Sequence, residues 1–332
     1  MKNVSEINIF AGSSGKVFAE RMCSYLGIDL KPSEVVIFAE GNTYVKIGEH
    51  VRGKEIFLIQ PIALDANNEL VELLFWLDAF KRSGAGYVTA VIPYFSYAKG
   101  DKKDEPRVSI RARVCAESIE LAGADRVIMM DLHAPQIQGF FKKPVDHLAS
   151  RPLLTEYIKS LQIENGVVVA PDSGFAKSAR KFAEHLGLPV AIGDKARKGG
   201  HHEDAEVLEL IGNVKGKNAI VVDDFSITGG TLADLGKFIK NKGARKVYAC
   251  LSHMPLSEKG VKRLEESPYE LIISTDSIYN KRVIKSDKFR CISVAPLFAE
   301  AVSRLHNCSS LNDLFDKVSS KLFSASIHCE DV

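Results

Sequence analysis

A chain of 332 residues exceeds one average domain and suits two, each large enough to bury its own core. With 45% hydrophobic and 26% charged residues it has the balance of a protein that folds throughout, which excludes a long disordered region. A net charge of +2 excludes the global basic signature of a nucleic-acid or anionic-membrane binder, while leaving local basic clusters able to take phosphates.

In chain order, short Val- and Ile-rich runs stand at 7–10 (INIF), 35–38 (VVIF), 55–60 (EIFLIQ), 88–93 (VTAVIP) and 127–131 (VIMMD). They continue at 166–170 (GVVVA), 219–224 (AIVVDD), 247–252 (VYACLS) and 270–274 (ELIIS). Continuous rather than alternating hydrophobicity predicts strands covered on both faces, as in parallel sheets. Apolar residues at helical spacing predict helices over 69–82, 110–122, 152–161, 176–186, 232–242, 296–306 and 311–322. The alternation predicts an α/β fold of mainly parallel sheets flanked by helices. Three helix ends share one junction, Gly84-Ala85, Gly123-Ala124 and Gly243-Ala244, whose glycine suits a left-handed C-cap before a strand. A boundary near 146–151 divides the chain into domains 1–149 and 150–295, with the helices of 296–322 packing back on either. Scattered cysteines without a CxxC pair argue against zinc and disulfides and for a reducing cytoplasm. Glu6 and Asn8 interrupt the first apolar stretch and no run reaches membrane-spanning length, so neither export nor a membrane partner is expected.

In open parallel sheets ligands sit beyond the carboxyl ends of strands, so the polar loops after apolar strands are the places to search. In VVDDFSITGGT, residues 221–231, a strand ends in Asp223 and Asp224, then Ser226, Ile227, Thr228, Gly229, Gly230 and Thr231 lead into a helix. Free N–H groups at a helix start bind phosphate and glycines permit close approach. Two carboxylates would repel a bare phosphate, but they accept hydrogen bonds from vicinal hydroxyls, so the loop fits a phosphorylated ribose. A second strand exit, Asp172, Ser173 and Gly174 followed by Lys177, reads either as an anion site whose aspartate holds a divalent cation or as a plain N-cap. A third carries Asp131 and His133, where the histidine is a ligand or a hydrogen-bonded structural residue. The fourth, 193–206, places Lys195, Arg197 and Lys198 before Gly199 and Gly200, and is either a solvated loop or a basic lid that closes over phosphates.

With these loops in this order, and with FAEGNTYVKIGEHVRG (38–53), VTAVIPYFSYAKGDKKD (88–104) and GADRVIMMDLHAPQIQGFF (123–141), the chain resembles the ribose-phosphate pyrophosphokinase family over nearly its whole length. The resemblance implies two phosphoribosyltransferase-like domains, assembled as a homo-oligomer, a hexamer or a dimer-based assembly. It implies transfer of the diphosphoryl group of Mg-ATP to the 1-hydroxyl of ribose 5-phosphate. By resemblance, Asp223 to Thr231 hold ribose 5-phosphate, Asp172, Ser173, Gly174 and Lys177 the pyrophosphate end, and Lys195 and Arg197 are catalytic. Phe38, Glu40, Asn42, Lys99, Gly100, Asp104 and His133 fall at ATP positions, and His133 and Asp172 at positions for Mg2+.

The chain departs from the family pattern mainly on the nucleotide side. Lys99-Gly100 stands for an Arg-Gln pair, keeping charge without the guanidinium fork; Glu40 and Asn42 replace other polar residues, and Phe175, Ser178 and Ile227 alter the two phosphate loops. An alternative reading of these departures is a regulatory paralogue with little catalysis; a phosphoribosyltransferase fits the first loop alone.

Overall fold

The computed structural model describes residues 4–197 and 205–327. The chain forms two units, the first of Met1–Ala149, Ser277–Tyr279 and Val294–Lys317, the second of Ser150–Asp276, Asn280–Ser293 and Val318–Val332.

The first unit begins with β1 (Asn8–Ala11), α1 (Lys16–Leu26), β2 (Ser33–Ile37), β3 (Thr43–Ile47), β4 (Glu55–Ile59) and α2 (Ala66–Arg82). It continues with β5 (Tyr87–Ile92), α3 (Arg111–Ala122), β6 (Arg126–Met130) and β7 (Val145–Leu148). Five strands make a parallel sheet in the order β1-β4-β5-β6-β7. Ile56, Phe57, Leu58 and Ile59 are fully buried, as expected of a strand covered on both faces. Helix α2 turns Leu73, Trp76, Leu77 and Phe80, one helical face, into the core, where the Trp76 and Phe80 rings stack at 5.8 Å.

The run VVIF departs from its expected place. It forms β2, which pairs only with β3 in an antiparallel ribbon outside the main sheet, and Ile37 is 71% exposed. Strand β3, TYVKI, alternates in burial and was not read from the sequence, because its apolar signal is only half that of a two-faced strand.

The second unit runs α4 (Arg151–Ser160), β8 (Gly166–Ala170), α5 (Ala176–Leu186), β9 (Val190–Arg197), β10 (Ala205–Ile211), β11 (Asn218–Phe225) and α6 (Gly230–Asn241). It continues through β12 (Lys246–His253), α7 (Glu258–Glu265), β13 (Tyr269–Thr275), α8 (Lys281–Ile284) and β14 (Phe289–Ile292). The sheet order is β10-β9-β8-β11-β12-β13-β14, antiparallel only at β10. From β8 the chain first moves outward to β9 and β10, then returns to place β11 on the other side of β8. That reversal makes the β8–β11 boundary a topological switch point, the place where ligands bind in open α/β sheets.

Helix α9 (Ala295–His306) belongs to the first unit and lies on α1, with Phe18 and Phe298 edge to face at 5.3 Å and the Tyr25 hydroxyl donating to Glu300 Oε1 at 2.7 Å. The expected helix over 311–322 is broken: a 3-10 turn covers Asn312–Phe315, and α10 (Ser320–Ile327) begins afresh in the second unit. Ser319 Oγ accepts the Leu322 N–H at 3.2 Å, a cap that starts a new helix where apolar spacing alone suggested continuity.

At the three Gly-Ala junctions the glycine has positive φ, 81° at Gly84, 126° at Gly123 and 91° at Gly243. The following alanine N–H reaches back to the Phe80, Ile119 and Ile239 carbonyls at 3.0, 3.2 and 3.3 Å, so each helix is closed in the same way before its strand. Among the described residues no helix is long and apolar enough to cross a membrane.

Candidate active site

Strand β11 is buried from Asn218 to Val222 and half-buried over its last three residues, so the carboxylates emerge where the sheet ends. The two acids cap the backbone that follows them: Asp223 Oδ1 accepts the Asp224 N–H at 3.0 Å, and Asp224 Oδ1 accepts the Phe225 N–H at 2.8 Å. Beyond them Ser226 donates its N–H to the His253 carbonyl at 3.2 Å, and Ile227 and Thr228 are exposed. Gly229 is the N-cap of α6 with φ 68°, a left-handed turn that L side chains rarely adopt. The helix starts two residues before the apolar spacing indicated, so Gly230 and Thr231 stand in its first turn, where N–H groups have no intrahelical partner.

The loop after β8 leaves the neighbouring strand end, since Val169 pairs with Val221. Asp172 Oδ1 accepts the Phe175 N–H at 3.1 Å, the geometry of a cap, while Ser173, Gly174 and Lys177 are exposed. On the other side of β8, the segment expected as the loop 193–206 is strand on both flanks: β9 runs through Arg197 and pairs with β10, with Lys195 opposite Val207 and Arg197 opposite Ala205. Ladder hydrogen bonds join backbones and need no apolar residues, so a charged run concealed a hairpin. Lys198, Gly199 and Gly200 lie outside the described residues. The residues expected on ribose phosphate, on pyrophosphate and in catalysis thus stand on three adjacent strands of the second unit, β11, β8 and β9.

The nucleotide candidates belong to the first unit. Phe38, Glu40 and Asn42 come together, all exposed, at the turn of the β2–β3 ribbon, which the Phe38 N–H closes on the Asn42 carbonyl at 2.8 Å. Lys99 and Gly100 end a 3-10 turn after β5, and His133 follows the adjacent β6. Lys99, Asp104 and His133 are exposed, whereas Gly100 is buried: a Cβ there would stand 2.8 Å from Arg111 Cβ and Nε. Helix α3 therefore fills with an arginine the space a longer residue 100 would claim.

Three features had escaped the sequence reading. The Leu132 N–H donates to Nε2 of His147 on β7 at 2.8 Å, and Asp131 takes φ 40°, so the turn bearing His133 is held from behind. Burial pushes the His147 imidazole below its ordinary value, against the pull of Asp131. After β1, the loop Gly12-Ser13-Ser14-Gly15 opens α1 much as the β11 loop opens α6, but Glu72 stands against it. Its buried carboxylate accepts the Ser13 N–H at 2.7 Å, the Ser13 hydroxyl and Trp76 Nε1–H at 3.2 Å. The third is α7, which lies against the β11 loop; Val261 and Leu264 alone gave it too short an apolar signal.

Residues 7–123 match the family model of the N-terminal domain of ribose phosphate pyrophosphokinase, and residues 200–316 that of the phosphoribosyl synthetase-associated domain. The chain is 46% identical over 312 residues to the ribose-phosphate pyrophosphokinase of Caldanaerobacter subterraneus subsp. tengcongensis, covering 94% of this chain and 98% of that one. It is 44% identical to that of Nostoc sp. over 313 residues, 93% of each chain. A solved phosphoribosylpyrophosphate synthetase from Mycobacterium smegmatis superposes with a TM-score of 0.84 at 34% identity, covering 91% of this chain and 99% of that one. Both units are α/β domains with mainly parallel sheets flanked by helices. The chain belongs to the ribose-phosphate pyrophosphokinase family.

Proposed function

We propose that the protein is a ribose-phosphate diphosphokinase that moves the diphosphoryl group of ATP to the 1-hydroxyl of ribose 5-phosphate, releasing AMP and forming phosphoribosyl pyrophosphate. The observation that carries this reading is the switch point of the second sheet, where an acid pair followed by a glycine-capped helix start adjoins a second loop with an aspartate and a lysine. Ribose 5-phosphate suits the first loop: N–H groups at the α6 start take the 5-phosphate, and Asp223 and Asp224 accept from the 2- and 3-hydroxyls. Ser173, Gly174 and Lys177 suit the diphosphoryl end.

In the reaction the 1-hydroxyl oxygen attacks the β-phosphorus, the bond from that phosphorus to the α,β-bridging oxygen breaks, and AMP leaves with that oxygen. The hydroxyl proton departs to solvent or phosphate. Lys195 and Arg197 neutralise charge that spreads over the transferred group, a role that needs position more than covalent chemistry. We assign a divalent cation, Mg2+, to the reaction, with Asp172 of the second unit as a residue that would hold it and His133 of the first unit as a separate candidate. A Mg2+ ion that enters on substrate phosphates keeps several of its waters and needs only one or two protein ligands. It would polarise the phosphoryl oxygens when bound.

We further propose a homo-oligomer acting in the cytoplasm. The scattered cysteines, without a CxxC pair, are what motivates the reducing compartment.

The test is AMP formation by purified protein from ATP, with dependence on ribose 5-phosphate and magnesium. Product with a different triphosphate alone would relocate the nucleotide preference. No AMP with any nucleotide would overturn the catalytic reading in favour of a regulatory subunit.

A further inference from the structure

Helix α7 touches the β11 loop through residues three apart in sequence, which share one helical face. At its start the Ser257 N–H reaches the Ile227 carbonyl at 3.4 Å. One turn on, Gly260 lies flat against the loop: a Cβ there would stand 3.1 Å from the Ile227 oxygen and 3.2 Å from the Thr228 carbonyl carbon. Gly229 faces it in return, its own missing Cβ falling 2.8 Å from the Gly260 oxygen. Another turn on, Arg263 Nη1 donates to the Thr228 carbonyl at 3.3 Å and lies 2.7 Å from where a Cβ on Gly230 would be.

The Thr228 carbonyl and the Gly229 N–H belong to one trans planar peptide and so point in opposite directions. A guanidinium that draws the carbonyl toward α7 therefore turns the Gly229 N–H away from α7. We propose that Arg263 is a positioning residue for the sugar-phosphate site: by gripping the Thr228 carbonyl it aims the Gly229 N–H at the 5-phosphate, and its charge favours the dianion. The proposal rests on the reading of this loop as the ribose 5-phosphate site. Close glycine contact packs this peptide against α7, and the charge-assisted bond from Arg263 holds its carbonyl more strongly than a neutral one would.

The test compares Arg263→Ala and Arg263→Lys with the wild type in the full chain. Arg263→Ala is expected to raise KM for ribose 5-phosphate roughly tenfold, the scale of one charge-assisted hydrogen bond, with kcat and KM for ATP within about twofold, and Arg263→Lys to recover much of the loss. Inorganic phosphate supplies a readout that needs no turnover: it should raise the unfolding temperature of the wild type more than that of Arg263→Ala. An unchanged ribose 5-phosphate KM in a folded Arg263→Ala protein, or an equal rise in both KM values, overturns the proposal. If Arg263→Ala fails to fold, Arg263→Gln, which keeps a donor without the charge, takes its place under the same criteria. A wild type that turns over no ribose 5-phosphate but loses its phosphate response in Arg263→Ala would sink the catalytic reading alone and support the positioning role.

Discussion

The Leu132 N–H donates to His147 Nε2 at 2.8 Å, tying the turn that carries His133 to strand β7. This bond needs a lone pair on Nε2, and an imidazolium would present a second N–H instead. Burial already holds the ring below its ordinary value of 6.5. The folded protein therefore takes up this proton less readily than the unfolded chain does. Stability from the neutral ring is fully present above about 6.5 and is lost as pH falls below it. His147→Asn keeps an acceptor but cannot titrate, so its unfolding temperature should fall less steeply than the wild type's between about pH 7 and 5. Parallel pH profiles would show that His147 does not govern this acid limb.

Gly229→Ala should damage the sugar-phosphate loop specifically. The left-handed φ of 68° costs an L residue about 1–2 kcal/mol, and the new methyl would meet the Gly260 carbonyl at 2.8 Å. Steady-state kinetics should give a raised KM for ribose 5-phosphate with KM for ATP little changed. Equal effects on both substrates would count against a local role.

Much of the fold could be read from the chain and some of its supports could not, for a physical reason. Strands such as β4 and β8, buried on both faces, announce themselves by unbroken Val and Ile runs. The ribbon strand β2 has a similar Val and Ile run, yet among the described residues it pairs with β3 alone and Ile37 is exposed. The acid pair and glycines of the β11 loop are local chemistry and so were legible. Arg263 acts through a backbone carbonyl 35 residues away, His147 through a backbone N–H 15 residues away, and neither leaves any trace in its neighbours' identities. Lys195 and Arg197 were recognisable as a basic pair but their segment was not recognisable as strand, since a ladder is made by backbone.

Lys195→Ala should depress turnover by about a hundredfold or more while KM for either substrate moves little, because the ammonium is assigned to charge that develops in the transition state. Intact kcat with raised KM would assign Lys195 to substrate binding instead.

Glu72→Ala should destabilise the first unit, since the buried Trp76 Nε1–H loses its acceptor, while the exposed Ser13 can turn to solvent. Each buried donor left unsatisfied costs roughly 1–3 kcal/mol. Trp76 is the single tryptophan of the chain, so its emission reports this site directly during urea unfolding. Glu72→Gln, which retains a carbonyl oxygen, should lose less. A midpoint unchanged by either substitution would remove Glu72 from the supports of the unit.

The same carboxylate also bears on ligand stoichiometry. The loop that opens α1 has the outline of an anion seat, yet its Ser13 donors are already committed to a carboxyl group covalently part of the chain. No wash removes that occupant and no added phosphate competes with it on equal terms. A phosphate titration of the whole protein should therefore draw no signal from this loop, and replacement of Glu72, rather than any diffusible ligand, is what would vacate it.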